Sequence, residues 1–168
     1  MIGAAIPVAI AGLVAIGALQ ACAVLQVTAE GRGSAVAADT LRLGEATIRL
    51  AGIAAPEADM TCLGRVVEPC ARRSQRALAD LLAGAGAVRC TARDRDRHGT
   101  TRGDCRIVST GTDVATWMVL NGWAVGEDEG LRAMHHAALF ARVGLWSMPR
   151  AWPAPADPVA EGGGGGRP

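Results

Sequence analysis

The chain has 168 residues, with Lys+Arg 17, every one of them arginine, against Asp+Glu 16 and a net charge of +1. A chain this close to neutrality lacks the broad positive field that drives non-specific binding to polyanions, so any nucleic-acid contact must be local. One Phe and no Tyr leave few platforms on which single-stranded bases stack, which argues against a dedicated single-strand binder. The length suits one domain with two short appendages. An all-arginine basic complement reads as a bias of genomic composition, although arginine does suit bidentate phosphate contacts.

From Ile2 to Val27 no residue is charged, a run longer than the ~20 apolar residues that cross a hydrocarbon core. It predicts an N-terminal apolar helix, a signal peptide or membrane anchor occupying residues 1–29. No basic residue precedes it. Ala21-Cys22-Ala23 and Val27-Thr28-Ala29 both fit signal-peptidase sites, and Leu19-Gln20-Ala21-Cys22 is a poor lipoprotein box, so anchor, cleaved signal and lipidated Cys22 all stay open. Gly31 to Ala51 alternates apolar and polar residues around turns at Ala37-Ala38-Asp39 and Gly44-Glu45, which predicts three short strands. Ala71, Gln75, Leu78, Leu81 and Leu82 predict an amphipathic helix from Pro69 to Leu82, stopped by Gly84. Strands follow at Val88 to Ala92 and Thr101 to Ile107, joined through the polar run Asp94 to Gly103. Asp113 caps a second helix ending at Asn121-Gly122, and a third spans about Gly130 to Arg142. Beyond Trp146 the sequence turns to prolines and the run Gly162 to Gly166, the composition of a disordered tail over residues 149–168.

Apart from Cys22 there are four cysteines, Cys62, Cys70, Cys90 and Cys105, which allow three connectivities that sequence cannot choose among. If Cys90 and Cys105 lie on the two strands just named, they are neighbours across a hairpin, and Cys62 is left with Cys70. Disulfides point outside the cytoplasm. The spacings are not CxxC and no His sits at ligand distance, so a zinc site is a poor reading.

The segment Ile48-Arg49-Leu50-Ala51-Gly52-Ile53-Ala54-Ala55-Pro56-Glu57, with Asp39-Thr40-Leu41-Arg42-Leu43 upstream, resembles the staphylococcal nuclease (thermonuclease) family. That family's pattern is Asp-Gly-Asp-Thr, then Ile-Arg-Leu-x-Gly-Ile-Asp-Ala-Pro-Glu. Glu68-Pro69-Cys70, Asp94 to Gly99, Gly111 to Ala115, Asn121 to Ala124 and Ala141 to Trp146 follow in the family's order, so the resemblance covers roughly residues 31 to 146. It implies an α+β fold, a five-stranded OB-type barrel with about three helices, over residues 30–148.

The resemblance also implies phosphodiester hydrolysis with calcium held by two aspartates and a backbone carbonyl, a glutamate near the attacking water, and two arginines on the phosphate. By motif position Asp39 is the surviving metal ligand, or else a turn aspartate. Arg49 is a phosphate contact, or else a rim salt bridge, perhaps to Glu57. Glu57 is the catalytic glutamate, useful only with water held in place. Three departures damage the pattern. Ala54 stands where the second aspartate belongs, Thr100 where the second phosphate arginine belongs, and Ala37-Ala38 replace the Asp-Gly before Asp39. Arg102, two residues past Thr100, falls on the same strand face and is a candidate substitute; Asp59 is a candidate source of oxygen. His135 and His136 point in different directions on a helix and make a poor metal pair. Trp117, Trp123 and Trp146 read as packing residues.

The sequence thus predicts a nuclease-like domain of the cell envelope with lost or weak hydrolysis, retained as a binding or structural module; the rival is a calcium-dependent nuclease with a rearranged site. Nucleic acid is the partner the resemblance suggests, and the membrane is a second if residues 2–27 stay attached.

Overall fold

The computed structural model describes residues 28–56, 60–63 and 67–148. The N-terminal apolar run, the tail from residue 149, Glu57 and Asp59 lie outside the described residues. The elements are β1 (Thr28–Gly31), β2 (Gly33–Ala35), β3 (Thr40–Leu43), β4 (Ala46–Leu50), β5 (Ile53–Ala54), β6 (Thr61–Leu63), β7 (Val67–Pro69), α1 (Cys70–Ala85), β8 (Val88–Arg95), β9 (Thr101–Ile107), α2 (Val114–Leu120), β10 (Val125–Gly126), α3 (Glu129–Ala141) and a closing 3-10 turn at Gly144–Ser147.

One mixed sheet carries the fold, in the order β1-β8-β9-β4-β3-β2. Its pairs are antiparallel except β4 with β9, which run parallel. A parallel pair needs a long crossover, and here β5, the β6–β7 hairpin, α1 and β8 supply it. The two ends of the sheet order, β1 and β2, are consecutive in the chain with only Arg32 between them. One bent segment therefore borders both edges, and the sheet curls back on itself as a small barrel does. Counting β1 and β2 separately gives six strands where five were expected; counting the bent segment once gives five.

Alternation sorts the strands. In β4, Ile48 and Leu50 are buried while Thr47 and Arg49 face out. In β3, Leu41 and Leu43 are buried around exposed Arg42. These side chains, with Val88, Cys90, Cys105 and Ile107, fill the barrel, and Leu78 and Leu82 of α1 and Met118 and Val119 of α2 close it. Asp113 caps α2 as expected, its Oδ1 accepting from the Thr116 amide at 2.9 Å.

Two boundaries need correction. Helix α1 does not stop at Gly84 but runs through it to Ala85, and Gly86, at φ 71°, ends it. A glycine inside a helix costs only ~1 kcal/mol, whereas the left-handed turn after a helix strongly prefers one. Strand β8 continues past Ala92 to Arg95 through an irregularity between Ala92 and Asp94. Half of the polar run from Asp94 to Gly103 is thus strand, and only Asp96 to Thr100 turns.

Both disulfides form as the hairpin geometry favoured. Cys90 and Cys105 are direct partners across β8 and β9, and Cys62 and Cys70 join β6 to the start of α1. All four are fully buried. Leu145 of the 3-10 turn packs on the Cys62–Cys70 bridge with Met60, Trp123 and Met148, making a second small core. Trp117 and Trp123 pack against the main core, which agrees with the packing role expected of them.

Trp146 meets the His135 ring edge-on, with centroids 5.0 Å apart. The Nδ1 of His135 is buried and meets no hydrogen-bond partner among the described residues. Burial, with a smaller contribution from neighbouring His136, pushes the His135 pKa below the usual histidine value of 6.5. The unfolded chain therefore takes up this proton first as pH falls. Stability is full above about pH 6.5 and declines as pH drops towards the depressed folded value. His135→Phe keeps the ring contact and removes the proton. We expect thermal unfolding of this variant to lose part of the acid-side decline, and an unchanged pH profile would refute the assignment.

Candidate functional site

Asp39 reaches its place through the backbone. The amides of Val36 and Ala37 both donate to the Thr40 carbonyl, at 2.8 and 3.1 Å, folding a tight turn ahead of β3. The Leu50 amide donates to the Asp39 carbonyl at 2.8 Å, and Thr40 and Arg49 are partners across β3 and β4. This register sets the Asp39 carboxylate beside the Arg49 guanidinium. Arg49 Nε donates to Oδ2 at 2.7 Å, and Thr40 Oγ1 donates to Oδ1 at 2.8 Å. The Asp39 side chain is 10% exposed and that of Arg49 is 44% exposed, so the pair sits with the acid inside and the base at the rim. Arg49 therefore makes a salt bridge at the rim with Asp39; Glu57, the partner expected from sequence, lies outside the described residues.

Arg102 is the register partner of Arg49 across the parallel pair β4 and β9. Its guanidinium grips Asp94 of β8 in a two-pronged pair, Nε to Oδ1 at 2.7 Å and Nη2 to Oδ2 at 2.8 Å. The contact holds the Asp94 carboxyl below its ordinary range and raises the arginine. Arg49 and Arg102 therefore stand on adjacent strands, each oriented by an aspartate of a neighbouring segment.

The turn after β8 is built on Asp96, whose Oδ1 accepts from the amides of His98 and Thr100, both at 2.9 Å. The Thr100 amide, then the His98 amide and the nearby charges of His98 and Arg49, hold Asp96 below the usual carboxylate range. Thr100 serves this turn through its backbone.

These pieces border one cleft of about 420 Å³, lined by Arg49, Arg97 and Arg102 and by Asp96 and Glu127, with Leu50, Gly52 and Ile53 as its floor. Gly52 also ties this floor to the β10–α3 junction. Its carbonyl accepts from the amides of Glu127 at 2.8 Å and Asp128 at 3.4 Å. Its φ of 75° is the left-handed conformation that favours glycine, and a Cβ there would meet Asp128 Oδ2 at 2.5 Å, so the carboxylate would have to swing aside. Ala54 follows Ile53 on β5 and pairs with Val125 of β10. Sequence reasoning missed Arg97 and Glu127. Arg97 stood inside a quoted motif without a role, and Glu127 reaches the cleft only through the two-residue ladder of β5 and β10, for which the sequence holds no signal.

Calcium takes six to eight oxygens, mostly carboxylate, carbonyl and water. Among the described residues no group of three or more His, Cys, Asp or Glu side chains is placed to hold a metal ion. Asp39 is paired with the Arg49 guanidinium, a positive charge that opposes a cation at the same carboxylate, and position 54 supplies a methyl group. The donors described do not fit calcium.

The family model described as staphylococcal nuclease homologue matches residues 47–148. The match takes in Arg49, Ala54, Glu57, Thr100 and Arg102 and begins after Asp39. A search of curated proteins returns no match. With well over half of its length matched, and a curled mixed sheet flanked by three α-helices, the chain belongs to the staphylococcal nuclease homologue family.

Proposed function

We propose that this nuclease-like domain has lost efficient hydrolysis and persists in the cell envelope as a module that binds anionic groups, nucleic-acid phosphate foremost, in the cleft of Arg49 and Arg102. The observation that carries the reading is a kept scaffold beside an altered site. Arg49 is held in place by Asp39, while a methyl stands at position 54 and a hydroxyl at position 100. Loss of one transition-state donor commonly costs ~10²–10³ in rate, so two changes at this site leave little ordinary nuclease activity.

Location rests on two features. Two buried disulfides suit an oxidising compartment, and the uncharged run of residues 2–27 suits export or anchoring. No helix among the described residues is long and apolar enough to cross a membrane. Strand β1 begins at Thr28 and pairs with β8, so cleavage after Ala23 leaves it whole while cleavage after Ala29 cuts it in two. If the segment is removed, the upstream site is the better one.

The rival reading, a nuclease with a rearranged site, draws on Arg102, which stands beside Arg49 in register. One experiment separates the two: incubation of the full chain with single-stranded DNA in millimolar calcium or in chelator, alongside oligonucleotide binding across a salt series. Binding without cleavage is the expected result. Two phosphate contacts give a salt slope of roughly −1.4 for a single strand, and removing Arg49 or Arg102 flattens it. Cleavage abolished by chelator and by Glu57→Gln would establish the rival instead.

A further inference from the structure

We infer that the Asp39–Arg49 ion pair stands in the metal's place, so that the guanidinium is the resident counter-cation of the buried carboxylate and the cleft holds anions with no divalent cation. The inference rests on the anion-binding reading above and says how that cleft works.

Three observations carry it. The pair is fixed by main-chain register, because Thr40 faces Arg49 and the Leu50 amide bonds the Asp39 carbonyl, so it is not an adventitious contact of two long surface side chains. The carboxylate is almost wholly buried, and a buried charge needs a partner of opposite sign. Arg49 is that partner, and Thr40 takes the other oxygen. Finally, the arginine spends only Nε on Asp39. Its two Nη groups donate to no other described residue, and Arg102 beside it, with Nε and Nη2 on Asp94, keeps Nη1. Both guanidiniums line the same cleft, each with donors left for the oxygens of an anion. Asp39 and Asp94 are positioning residues in this arrangement; each fixes an arginine and neither touches the anion.

The positioning role has a consequence that simple electrostatics opposes. Asp39→Asn removes a negative charge near the cleft, and on charge alone affinity for a polyanion should rise. If the carboxylate instead aims Arg49, affinity should fall. We expect a loss of about three- to tenfold, the net scale of one ordinary hydrogen bond.

The test uses the full chain in mild detergent, calcium chloride and a thymidine oligonucleotide as probes, and calorimetric titration as the readout. The unmodified chain should show no saturable calcium binding, and its oligonucleotide affinity should be equal in calcium and in chelator. Ala54→Asp should introduce calcium binding and make oligonucleotide affinity sensitive to chelator. Saturable calcium binding by the unmodified chain that Asp39→Asn abolishes would overturn the inference. So would an oligonucleotide affinity that falls tenfold or more in chelator, or one that rises in a folded Asp39→Asn variant. Failure of the oligonucleotide to bind under any condition would sink the anion-binding reading, and the calcium titration of the unmodified chain and of Asp39→Asn would still decide the inference.

Discussion

Ala54→Asp combined with Thr100→Arg should turn this chain into a calcium-dependent nuclease, with cleavage of single-stranded DNA rising by at least about 10²-fold over the unmodified protein. The scaffold gives the reason. Position 54 lies on β5 next to Ile53, which borders the cleft, and Thr100 closes the Asp96 turn on the same side. Thr100 takes part in that turn through its amide and carbonyl, so an arginine there leaves both turn hydrogen bonds intact. A second carboxylate offers the oxygen that Asp39 alone cannot supply, and a second arginine adds charge where the phosphate would sit. The two gains need not multiply, because groups acting on one transition state are not additive. Cleavage should vanish in chelator and on Glu57→Gln. A folded double variant that binds calcium yet stays inert would show that Glu57 does not serve this cleft.

Much of this was legible in the chain. Strand alternation from Gly33 to Leu50 gave the buried leucines, and the Asp113 cap gave the start of α2, because these are local signals whose period is set by backbone geometry. The cysteine pairing followed once β8 and β9 were placed as a hairpin. What escaped depends on contacts far apart in sequence. The bent segment of β1 and β2 borders both sheet edges, and nothing near Arg32 announces it. Glu127 enters the cleft through a carbonyl of Gly52, 75 residues earlier by subtraction of their positions. Antiparallel register also brings Asp39 to Arg49, a pairing across ten residues that no local signal announces. Of the described residues assigned by motif position only Arg49 lines the cleft, and register and hydrogen bonding decide which side chains hold one another there.

The two disulfides should fail in different ways, and the difference tests how the site is held. Replacing Cys90 and Cys105 with alanine opens a bridge of sequence separation 15 between two central strands, worth roughly 3 kcal/mol in the chain-entropy model. Both sulfurs are fully buried in the main core, so lost packing adds to the effect, and the melting temperature should drop by ~10 °C or more. The strands themselves stay paired on either side, so an engineered nuclease carrying this change should keep most of its activity well below its melting point. Removing the Cys62–Cys70 bridge, of separation 8, costs a little less by the same relation, about 2.5 kcal/mol. Its neighbours are different. Leu145 rests on it with Met60, and the Met60 carbonyl accepts from the Cys70 amide at 2.8 Å, so it anchors the segment that leads back towards Glu57. Loss of this bridge should therefore depress cleavage by the Ala54→Asp, Thr100→Arg variant more than it depresses stability. Thermal unfolding and cleavage rates measured side by side on both cysteine pairs would decide; equal losses of activity from the two would mean that the β6–β7 hairpin does not position the catalytic segment.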